Sequence, residues 1–463
     1  MAPRGRSSLS AHGRAKRSKK SARKSSAQVA PLYKRLPHGP HRMDRSQVVL
    51  HQRTRIHGAL IEAVAEDGYD ATSIKQVVGL AGVSRRAFYE QFANKEECFL
   101  ATFDLIVRRD IKEIKHVYLA SRGPLEQRAR AVFQRFAQST ADERNATALV
   151  VVEAQRSSRA GAMRVRRATG ACEQMLAHSF AEAPNSRPLP MPIVRGIAGG
   201  LHGTAASFLS ERHGDTQVDL AEEMLRWTLL FQTSQAELLG ERMAARLSTR
   251  MREISSTYGH GLGGAEPPAR DERTRLLQGI LRLVTREELR NLSAPQIADE
   301  ANVPVEAFCE LFDGKEQCFL EALEDISEQL LAIAADAELV GGDWPRAVRR
   351  VLGELMRHLA DHPLHARTLA QEALFSGPEA FERTVELART VATLLTEGAP
   401  TKPQGALTAD AVAGAIWHTV RCQVSAGRVQ LLAALSDHLA YVVLAPYIGA
   451  QAAVEMATED SPR

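Results

Sequence analysis

The stretch TSIKQVVGLAGVSRRAFYEQFANKEECFL, Thr72 to Leu100, decides the fold. Ser73 and Gln76 have the spacing of a capping box, so a helix starts there with Ile74, Val77 and Val78 on its buried face. Ala81, Gly82 and Val83 make a turn, with glycine free to take a positive φ and small residues letting two helices approach. Ser84 caps a second helix. In it Phe88 and Phe92, four apart, point inward, while Arg85, Arg86 and Tyr89 fall on the opposite side. Asn94 and Glu97 repeat the cap spacing before a third helix, with Lys95 in its first turn where free N–H groups could meet a phosphate.

From Thr72 to Lys95 there are four bases and one acid, Glu90, a net charge of +3. A cationic helix face suits duplex DNA, because guanidinium groups bond phosphates or the O6 and N7 of guanine in the major groove. A solvated charged face on a three-helix core is the bland alternative. The order Gly68-Tyr69, Thr72-Ser73-Ile74, Ala81-Gly82-Val83-Ser84, Phe88-Tyr89, Phe92 and Lys95-Glu96 decides between them: it resembles the DNA-binding domain of the TetR family of transcriptional regulators. The expected DNA-contacting set is Thr72, Ser73, Lys75, Ser84, Arg85, Arg86, Tyr89, Gln91 and Lys95. The resemblance implies a helical core that binds a small-molecule effector and pairs as a two-fold dimer on a palindromic operator. Most such proteins are repressors.

Bulk properties agree with an all-α fold. Of 463 residues, 44% are apolar and only 5% aromatic, and no run alternates as a strand would. No stretch approaches about 18 uninterrupted apolar residues, so no membrane span is expected. The basic N-terminus lacks the apolar centre of a signal peptide, which makes the cytoplasm, on the nucleoid, the expected location. The cysteines (98, 172, 309, 318 and 422) include no CxxC pair, and neither disulfide framework, metal site nor cofactor is expected. With no phosphate loop, nucleophile elbow or paired carboxylates in context, an enzyme is not expected. Residues 1–45 carry +12 of an overall +4, leaving −8 for the rest.

The expected organisation is a disordered basic arm at 1–44, a helix-turn-helix domain at 45–108, a helical ligand-binding and dimerisation core at 109–250, and a Gly/Pro-rich linker at 251–269. Within the first domain, Arg53 and Arg55 read as surface residues of its bracing helix. Helices over 193–212 and 218–238 close the first core, and Gly196, Gly199, Gly200 and Gly203 suit a dimer seam, though such a stripe can equally pack within one unit. The stretch from Leu292 then aligns on the stretch from Thr72 at a constant shift of 220, an internal repeat that sets a second helix-turn-helix at 270–328 and a second core at 329–455.

The repeat keeps the residues that make the fold and changes those that would touch DNA: Arg85 becomes Val305, Arg86 becomes Glu306, Tyr89 becomes Cys309 and Lys75 becomes Pro295. Between Leu292 and Lys315 there are five acids and one base, so this head should repel phosphate, with Lys315 the retained exception. DHPLH (361–365) reads as a helix boundary rather than a metal site. The expected function is a ligand-responsive, sequence-specific repressor of double-stranded DNA. It would act as a homodimer or as an internal pseudo-dimer, the homodimer being favoured because one head offers few base contacts. The competing class is an interaction protein whose acidic second unit binds a protein partner.

Overall fold

The computed structural model describes residues 45–182, 188–210, 219–232, 236–257, 271–335, 343–403 and 405–459. The basic arm and most of the Gly/Pro-rich linker lie outside the described residues. What is described is helical, with no strand among the described residues. The first head comprises α1 (Arg45–Ala71), α2 (Ile74–Ala81), α3 (Arg85–Tyr89) and the start of α4 (Lys95–Ala120). The first core follows as α5 (Leu125–Asp142), α6 (Arg144–Ala148), a π-helical turn Leu149–Glu153, α7 (Ala154–Ser157), α8 (Arg159–Glu182), α9 (Met191–Leu209), α10 (Leu220–Leu229) and α11 (Ala236–Thr257). A second head, α12 (Glu272–Val284), α13 (Ala294–Ala301), α14 (Val305–Leu311) and α15 (Lys315–Ala334), precedes α16 (Trp344–Asp361), α17 (Pro363–Ala370), α18 (Pro378–Glu397), α19 (Thr408–Ser425), α20 (Ser436–Ile448) and α21 (Ala450–Thr458).

The two heads correspond at the shift of 220 down to single hydrogen bonds. Gly82 ends α2 in the left-handed region at φ 60°, and its counterpart Asn302 ends α13 at φ 52°. Asparagine is one of the few residues with a side chain that tolerates this region, so the turn survives the loss of its glycine. The guanidinium of Arg55 donates to the carbonyls of Ala81 and Gly82, and that of Arg275 donates to the carbonyl of Asn302 at 3.1 Å. Arg55 is therefore a clamp on the turn rather than a plain surface residue. Its two carbonyls sit at a helix C-terminus, where unpaired oxygens favour a cation.

The small-residue stripe of α9 packs within the chain, one of the two arrangements expected for it. Gly199 and Gly203 face α19, Gly196 faces Val442 of α20, and Gly200 faces Trp227 of α10 in its own core. A Cβ added to Gly203 would lie 2.5 Å from the Asp410 carbonyl oxygen, and one added to Gly414 would lie 2.4 Å from that of Gly199. Backbones this close require glycine on both helices. Both of these glycine contacts are made within one chain.

Two further differences concern extents. The helix expected over 218–238 ends at Leu229, and α11 begins at Ala236 and runs into the expected linker. Helix α11 is an arginine strap onto the second core: Arg242 and Arg246 each reach Asp437 at 2.9 Å, and Arg349 joins the same carboxylate at 3.2 Å. Asp437 is buried, and a buried carboxylate persists only with such compensation. At 361–365, α16 ends and α17 starts at Pro363, the helix boundary expected there. Among the described residues one segment, Val429–Ile448, is long and apolar enough by composition to span a membrane, but it is interrupted by Asp437 and His438 and its most apolar stretch is 78% buried inside the protein.

Candidate DNA interface

The first head builds a short, exposed helix on a rigid base. Ser73 accepts a hydrogen bond from the Gln76 amide at 3.3 Å, Ser84 from the Ala87 amide at 3.0 Å and Asn94 from the Glu97 amide at 2.8 Å, so the three expected caps all form. The Gln76 side chain, however, turns to Asp67 and leaves the box at Ser73 half made, whereas in the second head Ser293 and Gln296 complete theirs. Phe88, Phe92, Phe99 and Phe103 are buried beneath, each 2% exposed or less. Arg53 lies over the Phe92 ring at 4.8 Å, a cation–π contact.

With those aromatics fixed inward, the helical period throws Ser84, Arg85, Arg86 and Tyr89 outward, and all four are exposed. The Arg86 side chain is 89% exposed, and its partner is Glu90, one turn on at 3.0 Å. Lys75 is also exposed and has no ion pair among the described residues. These five residues form a cationic, hydrogen-bonding surface along the edges of α2 and α3.

The other four expected contacts are placed differently. Thr72 is buried, its hydroxyl donating to the Gly68 carbonyl at 2.7 Å. Ser73, exposed like Ser84 and accepting the same kind of cap bond, stands at the start of α2 away from α3, and Gln91 leans back to the Ala87 carbonyl at 3.3 Å. Lys95 turns into the head: its ammonium donates to the carbonyls of Tyr69 at 2.8 Å and Asp70 at 3.2 Å, and lies 4.3 Å from the Tyr69 ring centre. Its burial lowers the ammonium pKa, against the pull of Asp70. Lys315 repeats this role on the carbonyls of Arg290 and Leu292 at 2.7 and 2.9 Å. The lysine present in both heads makes the same kind of bond to backbone carbonyls in each.

In the second head the outward positions are Val305, Glu306, Cys309 and Glu310, and the last three are exposed. Glu300, one turn away, is paired with Arg282 and Arg286 at 3.1 and 2.9 Å. The second head thus presents acids along the edge where the first presents arginines.

The first head shares a buried apolar cluster with its core, through Ala146, Leu149, Ala154 and Val165, and polar links are added to it. Gly68, at φ 76°, kinks α1 so that the next amide, of Tyr69, donates to the Glu153 carboxylate at 3.2 Å. Asn145 donates to Glu62 at 3.0 Å, and Arg164 pairs with Asp104 at 3.2 Å. Glu153 closes the π-helical turn, whose Val150 and Val151 line a cavity of about 240 Å³ in the first core. The cavity walls are mainly apolar, with Ile111, Ile114, Phe136 and Met175 among them. This cavity and its link to Tyr69 had no sequence signal: Val150 and Val151 belong to an ordinary apolar run, and nothing local marks Glu153 as the link.

Residues 58–102 match the sequence profile of the family described as bacterial regulatory proteins, tetR family. No curated protein matches the chain.

Proposed function

We propose that this DNA-binding transcriptional regulator of the TetR kind is a ligand-responsive repressor, holding its operator with Lys75, Ser84, Arg85, Arg86 and Tyr89 and releasing it when an apolar effector fills the first core. The observation that carries the reading is the π-helical turn Leu149–Glu153, which has the effector cavity on one side and the Tyr69 amide on the other. An effector pressing on Val150 and Val151 moves Glu153, and with it the loop from which α2 starts. The effector then favours the arrangement of head and core that fits DNA less well, and shifts the population towards it. The apolar lining selects an apolar small molecule.

In this reading the chain is two units in tandem, with one competent head, acting in the cytoplasm on the nucleoid. The α9–α19 seam supports a single chain as the pseudo-two-fold body, with the acidic second head held off the duplex by repulsion from phosphate. The test is a footprint of the full chain on DNA flanking its own gene. One protected half-site, abolished by Arg85→Ala with Arg86→Ala and relieved by an apolar effector, is expected. Two half-sites a helical turn apart would instead call for two chains joined on another surface. Absence of any specific protection would favour the second reading, in which exposed Glu306, Glu310 and Leu311 of the second head dock a protein partner.

A further inference from the structure

We propose that Glu173, His418 and Cys422 form a binding site for one divalent transition-metal ion of zinc's borderline-soft class, built across the join between the two cores. Glu173 lies on α8 of the first core, and His418 and Cys422 lie on α19 of the second. Spacing of four residues sets the histidine and the cysteine one turn apart on the same face. Their ligating atoms and one Glu173 oxygen all lie within 4.8 Å of one another. Glu173 Oε1 is 2.8 Å from His418 Nε2, and Cys422 Sγ is 3.4 Å from the same nitrogen.

The two separations to His418 are near those a metal requires, and the Glu173–Cys422 pair, within 4.8 Å, closes to its range as the carboxylate turns onto the ion. Bonds of about 2.0 Å to N or O and about 2.3 Å to S in a tetrahedron put donor atoms roughly 3.3 to 3.7 Å apart. The cysteine–histidine distance of 3.4 Å already fits. The glutamate–histidine distance of 2.8 Å needs to open by about half an ångström, which a rotation of the Glu173 carboxylate supplies.

The chemistry of the trio points the same way. Carboxylate, imidazole and thiol all converge on the place of a single shared proton, and two of the three are anions once that proton is gone. A dication there is offset by Glu173 and the Cys422 thiolate, with the guanidinium groups of Arg195 and Arg421 as neighbouring cations. Arg195 approaches the other oxygen, Glu173 Oε2, at 3.5 Å, and so orients the carboxylate while leaving Oε1 for the ion.

Three protein ligands leave a fourth position open. His418 and Cys422 both line a cavity of about 360 Å³ between the cores, with room there for water or a small donor. Because the ligands come from both cores, a bound ion ties α8 to α19 beside the glycine seam. The sequence signal is the pair of His418 and Cys422 in HTVRC; the third ligand, 245 residues away, has none.

The experiment is a titration of the full chain, first stripped with chelator, with cobalt(II) as a spectroscopic stand-in for zinc. One equivalent per chain is expected, with a near-ultraviolet thiolate-to-cobalt band and visible bands of tetrahedral intensity, bleached by added zinc. Cys422→Ser should abolish the thiolate band and Glu173→Gln should weaken binding at least about tenfold, while Cys172→Ser and Cys309→Ser leave both unchanged. No cobalt band in the wild-type chain overturns the proposal whatever the variants do, as does a band that survives Cys422→Ser or vanishes in Cys309→Ser. The readout involves no DNA, so it stands or falls apart from the repressor reading.

Discussion

Replacing Arg85 and Arg86 together by Ala removes two exposed guanidinium groups from a five-residue helix whose base is four buried phenylalanines. The head should keep its fold, because substitutions at such surface positions change stability by about 0.5 kcal/mol or less. Each arginine that reaches a base edge contributes about 1–3 kcal/mol of DNA binding. Arg86 must first leave Glu90, an exposed pair worth about 0.5 kcal/mol. The double variant should therefore lose about 2–5 kcal/mol, or roughly thirty-fold to a few thousand-fold in affinity. If the contacts are to phosphates instead, the slope of log K against log salt should flatten by about 0.9 for each arginine. The assay is fluorescence anisotropy of a labelled operator duplex over a range of salt, with a melt of the same protein. Lys95→Met is the contrast. Its ammonium is held by the Tyr69 and Asp70 carbonyls, so it should lower the melting temperature and leave the salt slope unchanged. An affinity within about twofold of wild type in the double variant, with the slope intact, would refute the assignment of α3 as the reading helix.

Three other perturbations follow from particular contacts. His57 is buried against Thr102 with its pKa lowered to about 4, by burial first and by Arg53 second. The unfolded chain therefore takes up a proton near pH 6.5 that the native head refuses until about 4. Stability should be full above 6.5 and fall by up to about 3 kcal/mol towards 4, and His57→Leu, the residue of the second head at Leu277, should flatten that slope in melts against pH. Gly203→Ala places a Cβ 2.5 Å from the Asp410 carbonyl, and should cost about 1–3 kcal/mol in denaturant melts; an unchanged midpoint would mean that α9 and α19 are not in contact in solution. Glu153→Gln weakens the hold on the Tyr69 amide, and should leave DNA affinity near wild type while reducing the effector's power to release it, measured as operator affinity with and without effector.

Much of the first head was legible because its code is local. Ser73, Ser84 and Asn94 act on amides three residues away, Gly82 and Asn302 act on their own φ, and the inward and outward faces of α3 follow from the helical period alone. The repeat at a shift of 220 was equally plain, since identical residues at constant offset need no coordinates. What lay beyond the sequence was the destination of long side chains. Lys95 has the charge and the helix-start position of a phosphate ligand, and only the path of the chain 25 residues earlier reveals the carbonyls that take its ammonium. Arg55 is the same case, with its acceptors 27 residues on.

The glycine stripe of α9 declared that some backbone would come close, but it could not name the partner, because a stripe of small residues is complementary to any other. The tertiary structure chose α19, α20 and α10 of the same chain. The joining of Glu173 to His418 and Cys422 was decided in the same way. Period and capping are properties of a few consecutive residues and are written in them. Which generic apolar faces dock, and so which polar groups meet across 245 residues, depends on the packing of the whole chain and is written nowhere in particular.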